Sequence, residues 1–206
     1  MSKKVLVGMS GGVDSSVSAA LLLEQGYEVV GAFMKNWSDG EKKEECSWRT
    51  ERRDAMRVAA QLGIELLTFD FEDEYRQHVY NYMIDEYKAG RTPNPDVLCN
   101  KYMKFGFLLR EAEKLNCDYI ATGHYARTKV DDDGTTHLLA GKDQNKDQSY
   151  FLCRLNQEQL KKTLFPIGEL EKTAVREKAH ALNLVVADKK DSQGICFVGK
   201  VKMQDF

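Results

Sequence analysis

Gly8-Met9-Ser10-Gly11-Gly12-Val13-Asp14-Ser15-Ser16 follows a short β-branched run at 3–9 and opens a segment where Val17, Ala20 and Leu21 recur at helical spacing until Gly26. The stretch reads as strand, glycine-rich loop, helix. Several backbone N–H groups and the positive end of a helix dipole then converge on one spot, which suits a phosphate. The loop lacks the Gly-Lys-Ser/Thr of a Walker sequence, and glycines at 8, 11 and 12 miss the dinucleotide-binding spacing. A lone Gly-Gly pair is commonly an ordinary turn, with Asp14 or Ser15 capping the helix. Its place after the first strand of an alternating chain favours the phosphate.

Outward from the loop, 27–34 reads as a second strand, followed by a polar loop at 35–47. Ala55, Val58, Ala59 and Leu62 share one helical face before Gly63, and 64–71 is a third strand. Tyr75, Val79, Met83 and Tyr87 stripe a helix over 72–88 that Gly90 closes. After the proline-punctuated Arg91-Thr92-Pro93-Asn94-Pro95-Asp96 come a helix at about 101–115 and a strand at 118–122. This rhythm predicts an α/β fold, a doubly wound parallel sheet with helices on both faces. Past His124, 127–130 and 137–140 flank Asp131-Asp132-Asp133-Gly134 as a hairpin, and shorter helical pieces reach about Leu184. A boundary near residue 143 divides the expected units, 1–143 and a small, mainly helical 144–206.

With 42% hydrophobic and 30% charged residues among 206, the chain is neither disordered nor collagen-like. Thirty Lys plus Arg against thirty-two Asp plus Glu leave a net charge of -2, so a nucleic-acid partner must be met by a local basic surface. No apolar stretch approaches the roughly 18 to 20 residues of a spanning helix, and the N-terminus has no secretory pattern. We expect no membrane partner and a reducing cytoplasm. The chain reaches Phe206 without a terminating signal and is expected to be cut short.

The five cysteines, Cys46, Cys99, Cys117, Cys153 and Cys196, form no C-x-x-C pair. That argues against a disulfide scaffold or structural zinc. Cys99 sits after two prolines, where a helix start with Lys101 and Lys104 nearby would lower a thiol pKa. Cys196 has Lys189, Lys190 and a glycine turn before it. Cys117 and Cys153 read as small buried hydrophobes.

Ser10-Gly11-Gly12-Val13-Asp14-Ser15 resembles the PP-loop of the ATP pyrophosphatases, enzymes of an adenine-nucleotide α-hydrolase-like fold that split ATP between its α and β phosphates. Arg91-Thr92-Pro93-Asn94-Pro95-Asp96-Val97-Leu98-Cys99-Asn100, Ala121-Thr122-Gly123-His124-Tyr125-Ala126-Arg127, Lys146-Asp147-Gln148-Ser149-Tyr150-Phe151 and Asp191-Ser192-Gln193-Gly194-Ile195-Cys196-Phe197 narrow this. In this order they resemble the tRNA-specific 2-thiouridylases, the MnmA/TrmU family, over essentially 8–197. The resemblance implies ATP contact by Gly8, Met9, Ser10, Gly11, Gly12, Val13, Asp14 and Ser15, with Met34 and Gly123 closing around the adenosine. It implies Cys99 as nucleophile, Cys196 as persulfide carrier and Asp96 as the group that moves a proton. Asn94, Pro95 and Asp96 would meet the target base, and His124, Lys146, Asp147 and Gln148 the tRNA.

The implied reaction is tRNA sulfurtransfer: ATP adenylates the carbon-2 oxygen of the wobble uridine, pyrophosphate leaves, and persulfide sulfur replaces that oxygen. Magnesium would accompany the triphosphate, with Asp14 a candidate contact. A persulfide donor or relay protein would load Cys196. Release of hydrosulfide by Cys99 fits the same residues, and related thiolases sometimes carry an iron-sulfur cluster, for which Asp96, Cys99 and Cys196 are available ligands. Lys88, Arg91, Lys101, Lys104 and Arg110 give a local basic patch for RNA phosphates, while Tyr102, Phe105 and Phe107 among them fit the core. The family usually continues into a β-rich region that helps grip the tRNA. Two alternatives stay open: another PP-loop synthetase that adenylates a carboxylate and ignores both cysteines, and a non-catalytic ATP- or tRNA-binding remnant.

Overall fold

Strands form where the sequence is β-branched and apolar on both sides of the pleat: Lys4–Gly8 (β1), Glu28–Lys35 (β2), Leu66–Asp70 (β3) and Tyr119–Ala121 (β4), with Ala126–Val130 (β5), Thr136–Ala140 (β6) and Thr163–Leu164 (β7) after them. The computed structural model describes residues 2–38 and 47–191. Five strands make one parallel sheet in the order β3-β2-β1-β4-β7, and β5 pairs with β6 as the expected antiparallel hairpin.

The central strand shows why both faces must be covered. Val5 and Val7 point into one apolar layer and Leu6 into the other, all fully buried. The first layer lies under Val13–Glu24 (α1) and Ser47–Leu62 (α2). The second is closed by two long helical runs. One comprises Glu72–Tyr75 (α3), a π-helical turn at Arg76–Tyr80 and Asn81–Lys88 (α4); the other comprises Pro95–Leu98 (α5), a π-helical stretch at Cys99–Phe107 and Leu108–Lys114 (α6). The expected stops at Gly26, Gly63 and Gly90 hold: the N–H of Tyr27, Ile64 and Arg91 each reaches back to a carbonyl in the last turn, 3.1, 3.0 and 2.9 Å away.

Past residue 143 come a 3-10 turn at Ser149–Leu152, Gln157–Lys161 (α7), β7 and Lys172–Ala181 (α8). The boundary expected near 143 does not separate two cores. β7 adds to the main sheet beside β4, and Ile167, Val175, Ala179, Leu184 and Val186 pack into the same layer as Val13 and Val17. A two-residue strand in a polar context leaves too little periodicity to read. Among the described residues no helix is long and apolar enough to cross a membrane.

Candidate active site at the switch point of the sheet

The strand order reverses at β1: β2 and β3 lie to one side, β4 and β7 to the other. In open parallel sheets the crevice beyond the carboxyl ends at such a point is where ligands bind. The glycine-rich loop leaves β1 there. Met9 N–H anchors it to the Ala32 carbonyl at 2.8 Å, and Ser10 N–H donates to Ser15 Oγ at 3.2 Å. Ser15 Oγ lies 3.3 Å from Ser10 Oγ and 3.2 Å from the Gly12 carbonyl oxygen, to which it donates. The side chains of Met9 and Val13 are buried in the core, so only their backbone is left to meet a ligand.

Gly12, in extended conformation, precedes α1, and among the described residues no side chain caps the helix. The N–H groups of its first turn therefore point out of its end without a side-chain partner, the arrangement that favours an anion. Asp14, expected as a cap or a magnesium contact, is committed elsewhere. Its carboxylate accepts from the Tyr125 hydroxyl at 2.8 Å and from Lys172 Nζ at 2.7 and 2.9 Å. Gly123, just past β4, packs on the same turn: a Cβ there would stand 2.7 Å from Ser15 N. Met34 and Leu108 approach Gly8 from the neighbouring strand and helix.

A cationic cluster surrounds the loop. Lys172, on α8 and 12% exposed, bridges Asp14 and Asp191, the latter at 2.8 Å. Asp191 also receives Lys146 at 2.7 Å and Arg176 at 2.9 Å. Burial works against its ionisation, but the hydrogen bonds and charges of Lys146 and Lys172 prevail and hold its pKa at about 2. Lys189, read from sequence as a charge near Cys196, donates to the Gly11 carbonyl at 2.9 Å and to Asp54 at 2.7 Å. Burial raises the pKa of Glu51 despite Lys189 nearby. Burial and the charge of Asp14 push the Tyr125 hydroxyl up, so it remains a donor. Lys172 and Arg176 had no signal in the sequence: they lie on a late amphipathic helix, far along the chain from the loop they serve.

On the other face of the sheet, Asn94 caps α5 by accepting from Val97 N–H at 3.3 Å, with Pro95 as first helical residue. The helix thus starts at Pro95, not near 101, and Cys99 sits in its second turn. This corrects the expectation of a thiol at a helix N-terminus, because the dipole fades beyond the first turn. Cys99 is fully buried, in one layer with Leu6, Met34, Met103 and Phe105. Asp96 precedes it in the same helix, half-buried. Lys101 lies over the Tyr102 ring at 4.7 Å, and Lys104 Nζ is 3.5 Å from His124 Nε2. Phe105 is buried and Tyr102 and Phe107 pack against the core, as expected.

His124 is buried, with Nδ1 2.8 Å from Thr122 Oγ1. An ammonium can only donate, so Nε2 accepts from Lys104 and Nδ1 carries the proton. Burial first, and the Lys104 charge second, lower its pKa well below the ordinary value. The unfolded chain takes up a proton below about pH 6.5 and the folded chain does not, so His124 costs stability as pH falls through that value. In nitrogen-15 NMR spectra its ring should keep the neutral pattern well below the pH at which a free imidazole takes up its proton. An imidazolium signal at pH 6 would contradict the burial argument.

Asp147 and Gln148 serve the local backbone. Asp147 accepts from Gly141 and Ser149 N–H at 2.9 and 3.2 Å, and Gln148 accepts from Tyr125 N–H at 3.1 Å. Within the basic patch Arg91 is paired with Glu86 at 2.6 Å, and Arg110 stacks on Phe107 at 4.1 Å. Cys46 and Cys196 lie outside the described residues.

A family model described as tRNA methyl transferase HUP domain matches residues 3–200. The tRNA-specific 2-thiouridylase MnmA of Christiangramia forsetii is 58% identical over 209 residues, covering 99% of this chain and 53% of its own. That of Lacticaseibacillus paracasei is 56% identical over 203 residues, covering 98% and 54%. That of Klebsiella pneumoniae is 58% identical over 205 residues, covering 99% and 55%. The chain spans about half the length of the curated relatives it matches. Among solved structures, a 4-thiouridine synthetase in complex with RNA and ATP superposes with a TM-score of 0.60 at 16% identity, over 96% of this chain and 46% of that one. NMN synthetase from Francisella tularensis gives 0.54 at 16% identity, over 92% and 66%. At that identity the likeness concerns the fold.

Proposed function

The chain belongs to the tRNA-specific 2-thiouridylase family, and from that membership we propose that it is the ATP-binding part of a tRNA sulfurtransferase acting on the wobble uridine. The observation that carries the reading is the uncapped α1 N-terminus at the switch point, ringed by Lys172, Lys189 and the Ser10 and Ser15 hydroxyls. It is a site for a polyphosphate, and the missing Walker lysine is replaced by cations from the far end of the chain.

In this reading the uridine carbonyl oxygen attacks the α-phosphorus of ATP, and the bond to the β-phosphate breaks. Charge collects on the departing pyrophosphate, where the α1 amides and Lys172 meet it. Magnesium, which would neutralise charge on the triphosphate, would have to arrive with ATP, because the Asp14 carboxylate is already taken by Lys172 and Tyr125. Asn94, Pro95 and Asp96 position the base, Asp96 moves the proton, and Lys146 touches the RNA, while His124, buried between Thr122 and Lys104, braces the site behind it. The terminal sulfur of a Cys196 persulfide, loaded by a donor protein, attacks carbon 2 and AMP leaves with the uridine oxygen. Cys99 thiolate then attacks the Cys196 sulfur. The S–S bond breaks, 2-thiouridine departs, and a Cys99–Cys196 disulfide remains for a thiol reductant to open. Cys99 must be uncovered for this step, so its alkylation should be slow in the RNA-free chain and faster with tRNA and ATP.

The reading is tested by incubating the chain with ATP, magnesium, unthiolated tRNA and cysteine persulfide as the sulfane-sulfur donor, then digesting the tRNA. We expect 2-thiouridine together with AMP and pyrophosphate. Turnover that survives Cys99→Ser would favour a PP-loop enzyme that does not use these cysteines.

A further inference from the structure

Asn36 follows directly on β2 and is 1% exposed, yet among the described residues neither its amide nitrogen nor its carbonyl oxygen has a hydrogen-bond partner. A buried carboxamide with donor and acceptor both unused is among the least favourable arrangements a folded chain can hold, and native structures rarely keep one without a use. Trp48 Nε1, Asn100 Oδ1 and Thr136 Oγ1 also lack a partner among the described residues, but Asn36 is the one side chain there that leaves both a donor and an acceptor unused. Ser15 and Ser16 bond the loop, and Thr122 bonds His124.

The position of Asn36 points to what it awaits. β2 neighbours β1 in register, with Ala32 opposite Gly8, so Asn36 lies one strand over from the phosphate loop. It stands roughly 13 Å farther along, at about 3.3 Å per residue. A nucleotide held by its phosphates at the loop extends its base across such a span, beyond the carboxyl end of the strand. The next residue, Trp37, stacks on Tyr80 at 4.8 Å and meets Tyr75 edge-on at 6.2 Å, giving a flat aromatic neighbourhood. A carboxamide presents one acceptor beside one donor, the complement of the 6-amino group and adjacent ring nitrogen of adenine.

We propose that Asn36 is a specificity-determining residue that reads the adenine of ATP, its Oδ1 accepting from the 6-amino group and its Nδ2 donating to the ring nitrogen beside it. This rests on the reading of the loop as the ATP triphosphate site.

The test is calorimetric titration of the chain and its Asn36→Leu variant with three probes: ATP, purine riboside triphosphate, which lacks the 6-amino group, and inorganic triphosphate, each with magnesium. The wild-type chain should bind ATP about tenfold more tightly than the purine analogue. The variant should bind the two equally, keep its affinity for inorganic triphosphate, and melt at a higher temperature without ligand because an unpaired amide has been removed. A variant that still prefers ATP over the analogue overturns the assignment and leaves the ATP site standing. A variant that loses ATP and inorganic triphosphate together and melts lower marks Asn36 as structural and also overturns it. A wild-type chain that binds neither ATP nor inorganic triphosphate removes the ATP reading itself, and the assignment with it.

Discussion

Replacing Lys172 by Met is expected to cut RNA-dependent pyrophosphate release by about 10²–10³-fold, the usual cost of removing one preorganised group that meets developing charge. Lys172 is the least exposed cation at the loop, held between Asp14 and Asp191. Without it, the phosphates would face two carboxylates and no ammonium between them. The fold should survive, because Asp14 keeps Tyr125 and Asp191 keeps Lys146 and Arg176. A melting temperature about 2–4 °C lower, worth roughly 1 kcal/mol, is what a chain of this size should show. Stopped-time assays of pyrophosphate, run beside thermal melts, separate the two effects. Undiminished release in a folded Lys172→Met variant would contradict the assignment of this residue to the leaving group.

Gly11→Ala should be the most damaging single methyl in the loop. Gly11 has φ +73°, and a Cβ there would run into the Glu51 carbonyl oxygen on α2, a backbone atom with no freedom to swing aside. The clash and the backbone strain together should cost about 3 kcal/mol or more, from a total stability of roughly 5–15 kcal/mol. Gly134→Ala is the control. Its φ is +79° but nothing stands within 4 Å, so only the strain of roughly 1–2 kcal/mol remains. Urea midpoints for the two variants measure the difference. Equal losses would show that α2 does not press on the loop.

These residues also show what could be read from the chain alone. β1 and the loop were legible because Lys4–Gly8 is a continuous apolar run cut by glycines, a local signal that needs no partner. The hairpin was legible from Asp131 to Gly134 for the same reason. The start of the helix before Cys99 was not: Pro95 at the first helical position resembles a loop proline until Asn94 is seen capping the turn. That shift of a few residues moves Cys99 from an expected helix end into a fully buried second turn. The cations at the loop were illegible for another reason. Lys172 and Arg176 on α8 and Lys189 in the segment after it reach Asp14, Asp191 and Gly11 through tertiary folding, and nothing in their own neighbourhood in the chain encodes that contact. Asn36 carries no signal in the chain, where a polar residue after a strand is ordinary; its burial without partners among the described residues is visible only in three dimensions.

If the loop holds ATP as proposed, an oxygen of the RNA base, not water, attacks the α-phosphate. A tRNA substrate carrying oxygen-18 at carbon 2 of the wobble uridine tests this in one mass spectrum of the nucleotide product. AMP should carry the heavy oxygen and form with an equal amount of pyrophosphate. AMP without the label, or ADP and phosphate in its place, would contradict it.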